Sequence, residues 1–574
     1  MIDFSNKTDA QIAAMVCVHR GAGVKERSDY EPFRSVLQKL FMPRRYDLLR
    51  RTLHDSTNKG QQFGARVYDG HLANAANKHV LGLFGNMIGK NLNWVGFGPG
   101  NQKLVEDDGV KKYMQESSEQ VLWGLGQSNF YGASIWAGKD ATVIATAVQI
   151  PEENLVKGVM TYRNAHPGTV FVFNDQFDNP GALIRDIEMQ AIDMLDKFGP
   201  SNLPIEVLNQ AKSVGNRSPF TKHKLIYARY KNVSPRPGSV NAKEREFKEF
   251  YIMPKQGSGV GKEARMLRHT GVDRMATIWR PGREDGCSYG VSLAADAFTD
   301  GARSNALKKI QLQIAGREGD PPILAHSAHQ NKLHLNAGGR TWAEDEKEFV
   351  KMAYDRTLNW PLTDAEMKEL RIEIDEVFSL DLFQMLTGAR DIPSGTTAFQ
   401  IRNMLGEKVT LMSSLIDVLE EEYLGPSIEA QFEFERAAGR MPTPPQILLD
   451  PQFGDGEIDI NYTGPLEQIR KNVQQSRGLV DGLEVIGKIG DMFPTSLVKV
   501  NELQLIEDAG VAMGMDQDLF KSDKEVADII AREEAREAQQ EQAAMLTQAA
   551  QAAPGITGPV DPTSIASQLT EAAA

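Results

Sequence analysis

The sequence predicts a mixed α/β fold in which helix predominates, and three observations carry that prediction. Apolar residues recur at helical spacing over long stretches, most clearly at Ile401, Leu405, Val409, Met412, Ile416, Leu419 and Tyr423. Short β-branched runs interrupt them, first "ATVIATAVQI" from Ala141 to Ile150 and then "GTVFVFND" around Val170. The chain has 574 residues, 41% of them hydrophobic, which is enough to bury cores in about two to four domains.

Residues from about Asp29 to Gly89 read as helices joined by short turns. The stretch 25–62 is locally basic, and "MPRRYDLLRR" brings Arg44, Arg45, Arg50 and Arg51 together. Such arginines either snorkel over apolar neighbours on a solvated face or contact nucleic acid or an acidic partner. "GFGPGN" at Gly96–Asn101 reads as a turn. Beyond the two β-branched runs, "NPGALIRDIEMQAIDMLDKFG" sets Leu183, Ile187, Ala191, Met194 and Leu195 on one face and stops at Gly199. This predicts a helix over 182–198, of about five turns.

Strand-like runs follow at Lys222–Lys231 and Glu246–Met253, separated by a polar loop with two prolines and a glycine, and again at Ala264–His269 and Met275–Arg280. They read as a small antiparallel β unit inserted between helices, the second of which lies within "CSYGVSLAADAFTDGARSNALKKIQLQI", Cys287–Ile314. After the polar run "PPILAHSAHQNKLHLNAGGR" come charged helices at Ala343–Arg356 and Asp364–Glu376. The clearest element opens with Thr397 and Gln400 at capping-box spacing and runs to Tyr423, a helix of about seven turns and about 40 Å that Gly425-Pro426 is expected to stop. The tail is rich in Ala, Gln and Glu and can be helical, and beyond about Ala552 it has too little apolar bulk to pack.

The formal net charge of −13 argues against a chain that clamps nucleic acid over its whole surface, and leaves room for a local basic patch. Two cysteines, Cys17 and Cys287, make neither a disulfide framework nor a four-thiolate zinc site and suit a reducing compartment. The terminus "MIDFSNKTDAQ" is unlike a signal peptide, and no apolar run approaches the roughly 20 residues of a membrane span, so no membrane association is expected. "QGSGVGKE" fails as a phosphate loop, since Gln256 stands where the first glycine belongs and Glu263 follows Lys262. "GFGPGN" lacks dinucleotide spacing. His326, His329 and His334 offer three imidazoles but no nearby carboxylate to orient them, so a polar loop is expected there. Glu420, Glu421 and Glu422 read as a solvated helix face. No catalytic residue, cofactor or metal site is expected, and the chain does not read as an enzyme.

The motifs that remain are "MPRR" with "DST" (Asp55–Thr57), "SNFY" (Ser128–Tyr131), "YGVSLAADAFTDGARSNAL" with "DPPILA", "DLFQML" (Asp381–Leu386), the long helix ending "LGP", "GRMPTPPQIL" and "INYTGPLEQIRK" (Ile460–Lys471). In this order, from about residue 35 to 505, the chain resembles the head-to-tail connecting, or portal, proteins of short-tailed double-stranded DNA bacteriophages. The alternatives are another virion structural or tail protein and, from a different class, a DNA-acting enzyme with an unrecognised site.

The resemblance implies a portal fold with wing, two-helix stem, β-containing clip and helical crown, closed into a ring of about twelve subunits at one capsid vertex. Its domains map to an N-terminal α/β wing over 1–181, a first stem helix and connection over 182–214, the clip over 215–287 and a second stem helix over 288–316. A polar segment near the channel loop spans 317–345, the wing resumes over 346–465 with the long helix at 397–424, and a helical crown fills 466–540. The low-complexity tail, 541–574, is expected to be partly disordered. Channel-loop candidates are Lys332, His334, Asn336, Gly338, Gly339 and Arg340, with the turn "LNWPLT" at Leu358–Thr363 as a competing position.

Clip docking candidates are Lys231, Arg236, Lys243 and Arg245, on an exposed loop where neither Arg236 nor Lys243 is expected to face the long helix. The implied partners are further copies of the chain, the major capsid protein, the terminase packaging motor, the tail adaptor, scaffolding or internal core proteins, and double-stranded DNA in transit. The implied location is the head-tail junction of the virion, with the host cytoplasm during assembly. A ring of about twelve copies would carry roughly −156 charges, a wall that lets DNA slide, with translocation driven by a partner ATPase.

Overall fold

The Thr8 hydroxyl accepts the Gln11 amide N–H while the Gln11 side chain accepts that of Thr8, so two donors of the first turn are satisfied reciprocally and the first helix starts there. From this end the computed structural model describes residues 2–4, 6–43, 67–101, 104, 107–154, 156–215, 217–236, 241–254, 264–319, 323–325, 350–352, 360–386, 398–449 and 458–471, with Arg532 and Arg536. The chain forms two compact units, Met1–Lys471 and Asn472–Ala574. In the second, Arg532 and Arg536 are helical and exposed.

The first unit runs through α1 (Asp9–Arg27), α2 (Glu31–Phe41), α3 (His71–Met87), β1 (Val95–Pro99), α4 (Asp108–Gln127) and α5 (Phe130–Ile144). Strands β2 (Ala147–Asn154), β3 (Val159–Ala165), β4 (Val170–Asn174) and β5 (Pro180–Gln190) follow, then α6 (Ala191–Phe198) and α7 (Ile205–Ala211). Next come β6 (Lys222–Lys231), β7 (Phe247–Met253), β8 (Arg265–Val272) and β9 (Thr277–Trp279), then α8 (Leu293–Asp296) and α9 (Phe298–Gly319). The short strands β10 (Ile323–Ala325) and β11 (Val350–Met352) precede α10 (Trp360–Val377), α11 (Leu380–Leu386), α12 (Ala398–Leu411) and α13 (Ser413–Leu419). A π-turn (Glu420–Leu424), α14 (Gly425–Ala437), β12 (Ile458–Tyr462) and a helical stretch over 465–471 complete it.

Two layers organise these elements. An antiparallel sheet of order β4-β5-β6-β7-β8 packs α1 on one face, through Ile12, Val16, Ile184, Ile226 and Phe250, and α6 and α7 on the other, through Met194, Val207, Leu183, Leu225 and Tyr251. The helical layer has its core between α3, α5, α11, α13 and the π-turn, where Phe84, Trp279 and Tyr423 meet edge to face or tilted and Phe130 stacks on Tyr423. Helix α5 is buried all round over Asp140–Ile144. A second, three-stranded sheet, β3-β2-β9, contributes to both cores.

Several sequence expectations hold. Helices occupy the described parts of 29–89, a helix covers Asp364–Glu376, and strands stand at Val170 and at the four runs between 222 and 280. Others are corrected. The five-turn helix expected over 182–198 is β5 as far as Gln190, with only Ala191–Phe198 helical. Leu183 faces the α6 side and Ile184 the α1 side, so both faces of β5 are covered and no period of two is visible; the spacing 183, 187, 191 then fits either structure. The β unit is therefore not an insertion between two helices: β6 pairs with β5, and β9 crosses back to β2.

"ATVI" ends α5, and the strand begins only at Ala147, after Ala145 takes a left-handed conformation at φ 65°. Gly96–Pro99 are not a turn but lie in β1, paired with β12. Val350–Met352, expected within a helix at 343–356, pair with Ile323–Ala325 instead, where ladder hydrogen bonds outweigh local helix preference. Trp360–Thr363, the competing channel turn, open α10.

The long helix is broken at Met412 and does not stop at Gly425-Pro426. Pro426 has no N–H for the carbonyl four residues back and would clash with it, so the chain slips by one residue into a π-turn and continues as α14. The Glu420 carbonyl accepts from the Gly425 N–H and from the Tyr462 hydroxyl at 3.2 Å, so the slip leaves it satisfied. Arg44, Arg45, Arg50, Arg51, the "QGSGVGKE" run, His326, His329, His334, all six channel-loop candidates, Thr397, the tail beyond Ala552 and nearly all of 472–540 lie outside the described residues.

Candidate functional site

The loop between β6 and β7 carries the docking candidates. Asn232 closes the loop, donating its side-chain amide to the Arg245 carbonyl at 2.9 Å and its backbone N–H to the Glu246 carbonyl at 2.7 Å, while its Oδ1 accepts the Ser234 N–H. Asn241 then caps a single 3-10 turn by accepting the Lys243 N–H at 3.2 Å. On this frame Lys231 reaches Asp175 at 3.8 Å, Arg236 reaches Glu244 at 3.8 Å, and Arg245 reaches Asp273 at 3.2 Å. Lys243 is exposed and forms no ion pair among the described residues. Arg236, Lys243 and Arg245 thus stand on the β6–β7 loop, and Lys231 ends β6.

One expectation about them fails. Arg236 and Arg245 line a groove of about 810 Å³ whose far wall is the π-turn and α14, with Glu421, Glu422, Glu429 and Glu433. Arg236 therefore borders the groove together with Glu421 and Glu422 of the long helical segment. Lys243 does not line the groove.

Arginines from the β layer and glutamates from the helix bridge this groove. Arg274 spans Glu429 at 3.3 Å and Glu433 at 2.6 Å. Deeper, the fully buried Arg280 donates its backbone N–H to Glu422 at 2.7 Å and its Nη2 to the same carboxylate at 2.9 Å, while Nη1 reaches Asn174 Oδ1 at 2.8 Å and Nη2 also the Asp178 carbonyl at 3.2 Å. Arg283 adds a third contact to Glu422 at 3.3 Å. The Gly286 N–H, donated to the Asp178 carboxylate at 3.2 Å, holds that carboxyl below its ordinary range. A buried arginine with a carboxylate and two further acceptors fixes position more than it adds net stability.

The glutamate run is thus a solvated face at Glu421 only. Only Glu421 is exposed; Glu422 retains 10% side-chain exposure in the Arg280 pair and Glu420 13%. Burial, with Glu467 close by, pushes the Glu420 carboxyl up to about 7, against the pull of Arg470. Arg274, Arg280 and Glu422 escaped sequence reasoning, since pairs more than 130 residues apart leave no local spacing signal. The one available hint was that Glu420 and Glu422 flank the buried stripe residues Leu419, Tyr423 and Leu424.

Three of the motifs singled out in the sequence occupy joints around this body. Within "SNFY", Asn129 exchanges two hydrogen bonds with the Tyr162 backbone, at 2.7 and 2.8 Å, and Tyr131 accepts from Trp94. Within "YGVSLAADAFTDGARSNAL", Ser292 caps α8, Ser304 donates to Asp69 at 2.5 Å and Asn305 accepts from the backbone of Tyr68 and Asp69. Within "INYTGPLEQIRK", a Cβ on Gly464 would stand 2.6 Å from the Met87 carbonyl, so only glycine fits against the end of α3.

Residues 20–520 match the family model described as bacteriophage head to tail connecting protein. The chain is 22% identical over 522 residues to a probable portal protein of Bordetella phage BPP-1, covering 90% of each chain. It is 23% identical over 393 residues to the portal protein of Salmonella phage epsilon15, covering 67% of each.

Proposed function

The chain belongs to the bacteriophage head to tail connecting protein family, and on that premise we propose that about twelve copies close into a ring at one capsid vertex, through which DNA is packaged and ejected. The observation that carries this reading is the length of the family match, which takes in most of the first unit and continues into the second. A head-to-tail ring closes only if every subunit holds the same rotation, so the β layer must be fixed against the helical layer. The Arg274 and Arg280 bridges across the groove supply that rigidity.

The β6–β7 loop is the proposed docking surface for the packaging motor and later the tail adaptor, with Lys243 and Lys231 at its exposed side and Arg236 and Arg245 turned to the groove. The channel loop is proposed at Lys332, His334, Asn336, Gly338, Gly339 and Arg340. The capsid protein, and scaffolding or internal core proteins, complete the proposed partner set. Negative-stain electron microscopy of the purified chain tests the reading: closed rings are expected, and a monodisperse monomer or open tubes at micromolar concentration would refute it.

A further inference from the structure

The five-stranded sheet carries an unusual row on its α6 side. Arg185, Tyr227, Tyr251 and Arg268 stand directly opposite one another across β5, β6, β7 and β8, so their side chains leave the sheet on one face. The two tyrosines are buried and Arg268 is exposed. From α6, Lys197 lies 4.6 Å from the centre of the Tyr251 ring. From the β2–β3 hairpin, Arg163 and Glu152 come up beside Arg185, 3.1 Å from each other, with Lys197 at 4.0 Å from the same carboxylate.

Charge on this face does not balance. Glu249 is committed to Arg229 at 3.1 Å and to the Tyr227 hydroxyl at 2.8 Å. Among the described residues that leaves Glu152 with Arg163, Lys197 and Arg185 around it, and Arg268 beside Lys197. Arg185 is the unmatched member: it forms no hydrogen bond or ion pair among the described residues, and its Nε is shut off from solvent without an acceptor. Burial and then the neighbouring Arg163 push its pKa down to about 10. A guanidinium left without acceptors beside another, Arg163, is expensive in a chain of net charge −13 unless an anion joins it.

We propose that Arg163, Arg185, Lys197 and Arg268 form an oxyanion site that takes a phosphate group, either free phosphate or the phosphodiester of a nucleic-acid backbone. The donors approach from β3, β5, α6 and β8, that is from several directions, which suits a tetrahedral anion with oxygens on every side. A planar carboxylate would satisfy one guanidinium edge and leave the others unmatched. The excess of cations over Glu152 likewise fits a phosphate better than a singly charged carboxylate.

Isothermal titration of the full chain with inorganic phosphate, against chloride and acetate at equal ionic strength, tests the site. Saturable phosphate binding at one site per chain is expected, weakened at least about tenfold by Arg185→Met. Circular dichroism checks that this variant folds, and Arg268→Ala, an exposed change, should weaken binding severalfold if it does not. Fluorescence anisotropy with a short DNA duplex separates the sources. If the duplex competes with phosphate and Arg185→Met lowers its salt dependence by about one unit, the source is the nucleic-acid backbone; if the duplex does not compete, it is free phosphate. A phosphate response equal to that of chloride or acetate, or affinity unchanged in both variants, would overturn the proposal.

Discussion

Replacing Glu422 by alanine tests whether the β layer is held to the helical layer by its buried pair. The substitution removes the acceptor of the Arg280 N–H, 2.7 Å away, and of its Nη2, 2.9 Å away, and also frees Arg283. Arg280 has no solvent exposure and its Nε already lacks a partner, so it would keep only Asn174 and the Asp178 carbonyl. An uncompensated buried charge of this kind costs about 3–5 kcal/mol. Glu422→Gln retains an acceptor for the backbone N–H and should cost about 1–2 kcal/mol. Arg283→Ala, at 36% exposure, should cost under about 1 kcal/mol. Urea unfolding followed by tryptophan emission is the assay, because Trp279 precedes Arg280 and is 1% exposed. With a slope of roughly 3 kcal/mol/M the Glu422→Ala midpoint should fall by about 1–2 M. A midpoint equal to that of Arg283→Ala would refute the reasoning, since the buried and the exposed contact would then be worth the same.

Further expectations concern pH and docking. His79 is buried, its ring nitrogen 2.7 Å from the Phe378 carbonyl, and burial pushes its pKa down to about 4. The unfolded chain therefore binds the extra proton first, so stability falls between about pH 6.5 and 4 by about 3 kcal/mol, and His79→Gln should flatten that slope in unfolding curves. Glu420 has the opposite sign: with its folded pKa raised to about 7, its carboxylate disfavours folding above that pH, so Glu420→Gln should stabilise at pH 8 and progressively less towards pH 5. Lys243→Glu, which touches neither the groove nor an ion pair, should leave rings intact in micrographs yet weaken co-sedimentation with motor or adaptor at low salt. Unchanged co-sedimentation would remove the β6–β7 loop as the docking surface.

What the sequence disclosed and what it hid divide along a physical line. Elements with one wet and one dry face were legible: α10 carries a single buried stripe through Met367, Leu370 and Ile374, and the first four residues of β6 alternate exposed Lys222 and Lys224 with buried His223 and Leu225 before both faces of the strand are covered. Elements covered on both sides were not, because burial erases the period. That is why β5 passed for helix and the end of α5 for strand. Three of the family motifs sit at joints where an asparagine or a glycine meets backbone from a distant segment, as Asn129 does with Tyr162, Asn305 with Tyr68 and Asp69, and Gly464 with Met87.

The candidate site was half legible for a related reason. Loop cations announce themselves, since a run such as "SPRPGSVNAKERE" is too polar to bury; the groove they border does not, since its far wall is supplied nearly 200 residues later. A charged side chain flanking an apolar helical stripe has two fates, solvent or a counter-charge, and only the tertiary fold chooses. At Glu421 it chose solvent; at Glu422, one residue on and rotated by the helix toward Arg280, it chose the counter-charge. The π-turn forced by Pro426 sets that rotation. Restoring regular helix there with Pro426→Ala would turn Glu422 relative to α14 and misalign it with Arg280, so the proline's cost to the helix is offset by the pair that locks the two layers together.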